Sequence, residues 1–178
     1  MKGLRFFLFQ ALKSRNYSCV DGNELRYSIC LENQVVDTKV QDNNTKFEWP
    51  VTVYYEDTDA GGVVYHSNYL KFFERARTEL LRTIGVSQQV LLEQNLGFVV
   101  RHMDIDFLQG ARLDDHLTVI TQIADLKKAS LTFCQEIVNP DGNILCKAMV
   151  KVACIDNKKM RPKAMPQSIV MELTHSDR

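Results

Sequence analysis

The sequence predicts an α+β fold in which an antiparallel sheet of about five strands wraps around one long helix. Three observations lead there. One stretch, about Ser67 to Ile84, carries Tyr69, Phe72, Phe73, Ala76, Leu80 and Ile84 at spacings of three and four, the stripe of an amphipathic helix. After Gly97 the period switches to two, with Val99, Met103, Ile105 and Phe107 alternating with His102, Asp104 and Asp106, which marks strands. The later strands are joined by short links, which favour antiparallel neighbours.

Residues 1 to about 46 show no sustained period and end in Gln41-Asp42-Asn43-Asn44-Thr45-Lys46, a linker composition. Met1 to Leu12 resembles a weak signal peptide, with Lys2 and Arg5 ahead of Phe6 to Phe9. Gln10 interrupts it, Lys13 and Arg15 follow, and no small-residue cleavage site closes it, so it is read as not a signal peptide. The next Met is Met103, so no internal Met starts a chain near Phe47. The expected division is an N-terminal extension over 1–46, poorly ordered or from a misassigned translation start, a domain over 47–173, and a tail over 174–178.

The domain opens with Trp49 to Glu56, β-branched and aromatic enough for a strand. A turn-rich stretch, Asp57 to Gly62, leads to the long helix. Ser67 or Asn68 is expected to cap its N-terminus and Gly85 to sit just past its end. Lys71, Glu74, Arg75, Arg77 and Glu79 are assigned to its polar side. A second, short helix reads from Ser87 to Gln94. The strand after Gly97 has Arg101 breaking its apolar side. Strands follow over Asp115 to Leu126, Ser130 to Asn139 and Ile144 to Ile155, the last two joined by the hairpin turn Asn139-Pro140-Asp141-Gly142-Asn143. From Pro162 the chain is expected to be irregular at first.

Composition narrows the function. The 178 residues suit one ordinary domain, with 45% hydrophobic and 25% charged residues. Lys plus Arg equals Asp plus Glu, at 22 each, so charge gives no case for a nucleic-acid partner. No apolar run approaches the ~20 residues of a membrane span. The five cysteines, Cys19, Cys30, Cys134, Cys146 and Cys154, are odd in number and include no CxxC pair. A reducing cytoplasm fits them better than a disulfide framework. His66, His102, His116 and His175 fall at no recognised metal-ligand spacing, so no metal is expected.

The densest cluster of unusual residues runs from Tyr54 to Tyr69. Glu56, Asp57 and Asp59 crowd three acids into four positions, against their mutual repulsion. Gly61 and Gly62 permit close backbone approach. A helix N-terminus follows, whose N–H groups attract negative charge. Two readings fit. One is an acidic turn with an ordinary helix cap. The other is acyl transfer, in which a carboxylate attacks or directs water while N–H groups hold the developing oxyanion. EF-hand ligand spacing is absent, and so are the Walker lysine and the GxGxxG spacing.

The stretch Val53-Tyr54-Tyr55-Glu56-Asp57-Thr58-Asp59-Ala60-Gly61-Gly62-Val63-Val64-Tyr65-His66-Ser67-Asn68-Tyr69-Leu70 resembles the active-site signature of the 4-hydroxybenzoyl-CoA thioesterase family. It is most similar to the branch encoded beside the Tol–Pal cell-envelope genes of bacteria. The likeness continues through Phe73 to Glu79, Phe98 to Arg101, Ala111 to Asp115 and Met160 to Pro166, and covers about 47–173.

The resemblance implies the hot-dog fold and hydrolysis of small acyl-CoA thioesters without a cofactor. It implies Asp59 as nucleophile or general base, and the His66 N–H as the group that polarises the thioester carbonyl. The His66 side chain ranks second, as a partner of substrate or of Asp59. Gly62 and Tyr65 are implied at the substrate, and Tyr69 is read as core. Asp57 is read as structural. Lys127, Lys128, Ser130 and Arg161, with Lys163, match segments that contact CoA phosphates. Glu74 or Glu79 on the long helix is a rival base. A homodimer or homotetramer is implied. A non-catalytic scaffold that binds acyl-carrier protein is the alternative.

Overall fold

The computed structural model of the chain describes residues 15–20, 24–31, 34–39 and 46–175. The expected Met1–Leu12 segment, the polar stretch up to Thr45, and residues 176–178 lie outside them. The chain divides into two units, Met1–Asp42 and Asn43–Arg178. In the first, β1 (Arg15–Val20), β2 (Glu24–Leu31) and β3 (Gln34–Lys39) form an antiparallel sheet in that order. Tyr17 pairs with Tyr27, and Ile29 with Val36. No sustained period in the sequence marks these strands.

The second unit carries β4 (Phe47–Thr52), α1 (His66–Thr83), α2 (Gln88–Glu93), β5 (Leu96–Phe107), β6 (His116–Lys127), β7 (Ser130–Val138), β8 (Ile144–Asp156), β9 (Arg161–Pro162) and α3 (Gln167–His175). Its sheet runs β4-β6-β7-β8-β5, with β9 added on β8, and every pairing is antiparallel. This is the expected α+β class, and the five-stranded path matches the expected count.

Alternation makes the core. On β8, Cys146, Ala148, Val150, Val152 and Cys154 are buried while Lys147, Met149 and Lys151 stay partly exposed. From α1, Tyr69, Phe72, Phe73 and Ala76 join the same buried cluster. Phe72 and Phe73 have no exposed surface, and burying such a side chain stabilises by about 2–3 kcal/mol. Burial pushes the Cys146 thiol up to about 12, so Cys146 acts as a small apolar side chain.

Several boundaries differ from expectation, each for a local reason. The first strand stops at Thr52 instead of reaching Glu56. Beyond it the Asp57 carboxylate accepts the Tyr54 N–H at 3.0 Å, closing Tyr55–Asp57 into a 3₁₀ turn. Neither Ser67 nor Asn68 caps α1. The helix starts at His66, Tyr65 is the capping residue, and it makes no side-chain cap bond. Gly85 ends the helix as expected, at φ +78°. Its N–H donates to the Arg82 carbonyl and the Val86 N–H to that of Leu81, which is a Schellman closure.

Arg101, which breaks the apolar alternation, sits in a β-bulge: Val100 pairs with Val152 and His102 with Lys151. The extra residue breaks strict alternation along the strand. The helix α3 was not expected. It follows the irregular residues 163–166 and buries Ile169 and Leu173 beside Met165.

Arg77, assigned to the polar side of the helix, is buried instead. Its Nη1 donates to Gln135 Oε1 at 2.7 Å, and Nη2 donates to Glu74 Oε2 at 2.6 Å. Gln135 Nε2 in turn donates to the Thr121 hydroxyl at 2.9 Å and the Phe73 carbonyl at 3.1 Å. Burial pulls the guanidinium below its ordinary value, and Glu74 pulls it back up. Among the described residues no buried side-chain polar atom lacks a partner. Gln135→Leu removes the neutral acceptor of a buried cation and should destabilise the fold by about 3 kcal/mol. The midpoint of chemical denaturation measures this.

Candidate active site

The acidic turn is a small hairpin. Thr58 bridges Val64, the Asp59 N–H donates to the Val63 carbonyl at 3.0 Å, and the Gly62 N–H donates to the Asp59 carbonyl at 3.0 Å. Gly62 lies at φ +73°, the left-handed conformation that glycine adopts without penalty. Gly61 is crowded by the Asp59 side chain. Its N–H donates to Asp59 Oδ1 at 2.7 Å, and a Cβ there would come within 3.0 Å of that same oxygen. Asp59 itself is exposed at the tip, with one carboxylate oxygen steadied by a backbone donor.

The hairpin is tied to the start of α1. The Asp57 carbonyl accepts two donors, the Tyr65 N–H at 2.8 Å and Asn68 Nδ2 at 2.9 Å. Asp57 and Asn68 are both buried, which agrees with a structural Asp57. His66 is the first residue of the helix. Its N–H is one of those at a helix start with no acceptor inside the helix, and it lies at the positive end of the helix dipole. Among the described residues no hydrogen bond joins the His66 ring to Asp59. The ring packs 4.3 Å from that of Tyr65 and 6.3 Å from that of Phe107.

A second loop braces the first. The Val64 N–H donates to the Ala111 carbonyl at 2.8 Å, while the Ala111 N–H donates to the Tyr69 hydroxyl at 2.9 Å. Val63 lies so close to Gly110 that a Cβ there would stand 3.1 Å from it. Burial pushes the Tyr69 hydroxyl up, so it stays protonated. Tyr69 is core, as expected, and its polar end holds the loop. Sequence reasoning missed this brace, because nothing in the chain pairs Tyr69 with Ala111 across forty residues. It also missed Asn68 as a tie, since an Asn near a helix start is read first as a cap.

The basic residues gather elsewhere. Lys127 ends β6 and Ser130 begins β7. The Met165 N–H donates to the Lys128 carbonyl at 2.9 Å and the Lys163 N–H to the Cys154 carbonyl at 2.9 Å, which brings the Lys127–Ser130 turn beside Arg161–Lys163. Lys127 Nζ meets Asp125 at 3.0 Å, and Lys163 Nζ lies 4.0 Å from Asp156. The two groups of site residues are therefore separated. Asp59, Gly62, Tyr65 and His66 cluster at the Phe107 end of β5. Lys127, Lys128, Ser130 and Arg161 cluster at the Phe98 end, where Phe98 pairs with Cys154. Among the described residues no group of three His, Cys, Asp or Glu side chains could hold a metal ion, and no helix is long and apolar enough to cross a membrane.

A curved antiparallel sheet around one helix, with a carboxylate loop at the helix start, defines a class of thioesterase folds. The chain belongs to the thioesterase-like superfamily, whose pattern matches residues 53–173. It is 53% identical over 130 residues to the acyl-CoA thioester hydrolase YbgC of Escherichia coli, covering 73% of this chain and 97% of that protein. It is 52% identical over 130 residues to the acyl-CoA thioesterase YbgC of Haemophilus influenzae, covering 72% and 95%. Among solved structures, a 1,4-dihydroxy-2-naphthoyl-CoA thioesterase from Synechocystis superimposes with a TM-score of 0.70 at 24% identity. It covers 75% of this chain and 99% of that one, a likeness of fold.

Asn68→Ala removes a buried donor from the Asp57 carbonyl. It should cost about 1–2 kcal/mol of stability and lower turnover about tenfold by loosening the Asp59 loop. Thermal unfolding and steady-state rates on one sample test both effects.

Proposed function

We infer that the chain hydrolyses acyl-CoA thioesters to the free acid and CoA. The observation that carries this is the exposed Asp59 carboxylate, steadied by the Gly61 N–H, on a hairpin tied by Asn68 and Tyr65 to the start of α1. The thioester carbonyl oxygen lodges at the His66 N–H, where developing negative charge is stabilised. Asp59 serves the attack by one of two routes. As general base it takes a proton from water, whose oxygen bonds to the acyl carbon. As nucleophile it forms a mixed anhydride, which water then opens. In both, the C–S bond breaks, the sulfur leaves with the electron pair and takes up a proton, and water supplies the oxygen of the acid. CoA enters as part of the substrate, and these steps call on no further cofactor.

We propose Gly62 and Tyr65 as the residues facing the acyl thioester, and Lys128, Arg161, Lys127 and Ser130 as the groups that meet the CoA phosphates. Phe107 lies nine residue steps beyond Phe98 along β5, about 30 Å of extended chain. One copy thus holds its carboxylate loop and its basic cluster at opposite ends. An antiparallel pairing of β5 with β5 of a second copy would set the loop of one beside the basic cluster of the other. β5 ends the sheet and exposes an edge that pairing would cover. Along it the cation Arg101 precedes the acids Asp104 and Asp106, so an antiparallel copy can set unlike charges near one another. We therefore propose a homodimer with two shared sites, placed in the cytoplasm, where its thiols stay reduced.

Asp59→Asn should lower kcat on acyl-CoA substrates by at least about a hundredfold while circular dichroism and size are unchanged. Full turnover in that folded variant would dismiss the assignment. Mixing the inactive Asp59→Asn and Lys128→Ala/Arg161→Ala proteins should restore part of the activity, because one site in a mixed dimer is then intact.

A further inference from the structure

A shallow cleft, open to solvent, lies between the middle of α1, the first residues of β5 and β7, and Val152 of β8. Phe98, Leu131 and Phe133 form its apolar wall, and Glu74, Arg77 and Thr78 line its polar one. It sits at the Phe98 end of β5, beside the basic cluster, since Leu131 directly follows Ser130. Glu74 is eight residues past His66 along α1, about 12 Å from the helix start. In the dimer proposed above, the same antiparallel pairing that brings the basic cluster to the partner's Asp59 loop brings this cleft there too.

The polar wall has an unusual balance. Arg77 is a buried cation, its guanidinium 6.0 Å from the Phe133 ring centroid. One nitrogen is held by the neutral Gln135 and the other by Glu74, the only carboxylate bonded to it among the described residues. Glu74 is half-exposed, at 54% of its side chain, and its other oxygen accepts the Thr78 hydroxyl at 3.2 Å. With Glu74 in place the wall is neutral overall, and a second carboxylate brought to it would meet like charge. Without Glu74 a buried cation would face an apolar cleft with no counter-ion, a setting that draws in an anion.

We propose that this cleft receives the acyl group of the thioester and that the Glu74–Arg77 pair makes it select uncharged acyl groups over those ending in a carboxylate. The proposal rests on the acyl-CoA reading of the Asp59 site and names the substrate class within it. Glu74 is here a specificity-determining residue. The rival reading of Glu74 as base is a separate outcome of the same experiment.

The test compares kcat/KM for butyryl-CoA and succinyl-CoA, which differ at the far end of a four-carbon acyl chain, in the parent protein and in Glu74→Gln. The parent should favour butyryl-CoA. In Glu74→Gln the ratio should move towards succinyl-CoA by at least about tenfold, with most of the change in KM. A purely structural ion pair would lower both rates together and leave the ratio alone. A ratio unchanged within about twofold would overturn the proposal, and so would a folded Glu74→Gln protein inactive on both substrates. Phe98→Ala supplies an independent reading of the apolar wall. Hexanoyl-CoA should gain on butyryl-CoA, and no gain would place the acyl group elsewhere. If Asp59→Asn kept full turnover, the catalytic assignment would fail while the Glu74 ratio still reported on the cleft, so the two failures are separable.

Discussion

The site depends on a single carbonyl oxygen, that of Asp57. It accepts the Tyr65 N–H and the Asn68 side chain together, so the acidic hairpin and the first turn of α1 move as one body. Both bonds lie where water is largely excluded, and a donor left unpaired there would cost about 1–3 kcal/mol. The Asp57 carboxylate meanwhile anchors the Tyr54 N–H. One residue thus fixes the chain leaving β4, the hairpin that carries Asp59, and the helix that carries His66. Tyr69 extends the fixation through Ala111 to the loop after β5. The exposed carboxylate is held by a buried frame, which is how a flexible-looking turn gains a defined direction.

The helix is held to the sheet differently at its middle. There Arg77, Gln135 and Thr121 form a polar chain through the core. Such a chain contributes little net stability over an apolar replacement of equal shape, but it fixes one rotation and one register of helix on sheet. A helix that rolled on its apolar stripe would strand the guanidinium. The same rotation sets the direction of His66 at the helix start. The polar network and the Asp59 loop are therefore linked through a rigid element and do not touch.

The fold was legible because periodicity survives in single residues. Phe72 and Phe73 on the helix, and Val150 and Val152 on β8, are where the pattern puts them. Asp59, Gly61 and Gly62 were legible as a unit, since acids crowded beside glycines have few cheap explanations. Arg77 was not, because its type assigns it to water, and the buried acceptor that draws it inside, Gln135, is fifty-eight residues away. Asn68 was misread for the same reason: its partner is across space, and the local rule for Asn near a helix start is capping. The helix α3 was hidden behind two prolines. The separation of Asp59 from Lys128 and Arg161 depends on sheet order, which no local pattern encodes.

Strand order also governs how the chain meets its partners during synthesis. β5 has one neighbour in the sheet, β8, and that strand is made some forty residues later. β4 likewise waits for β6, across the whole of α1 and β5. Until the ribosome has released β8, the long helix has no complete wall to rest on and β5 offers both edges to its surroundings. Closure is therefore late and depends on distant pairings, the regime in which folding is slow and nascent chains are most exposed to aggregation. A growing polypeptide of this kind has strong reason to be sheltered by chaperones until its last long strand emerges.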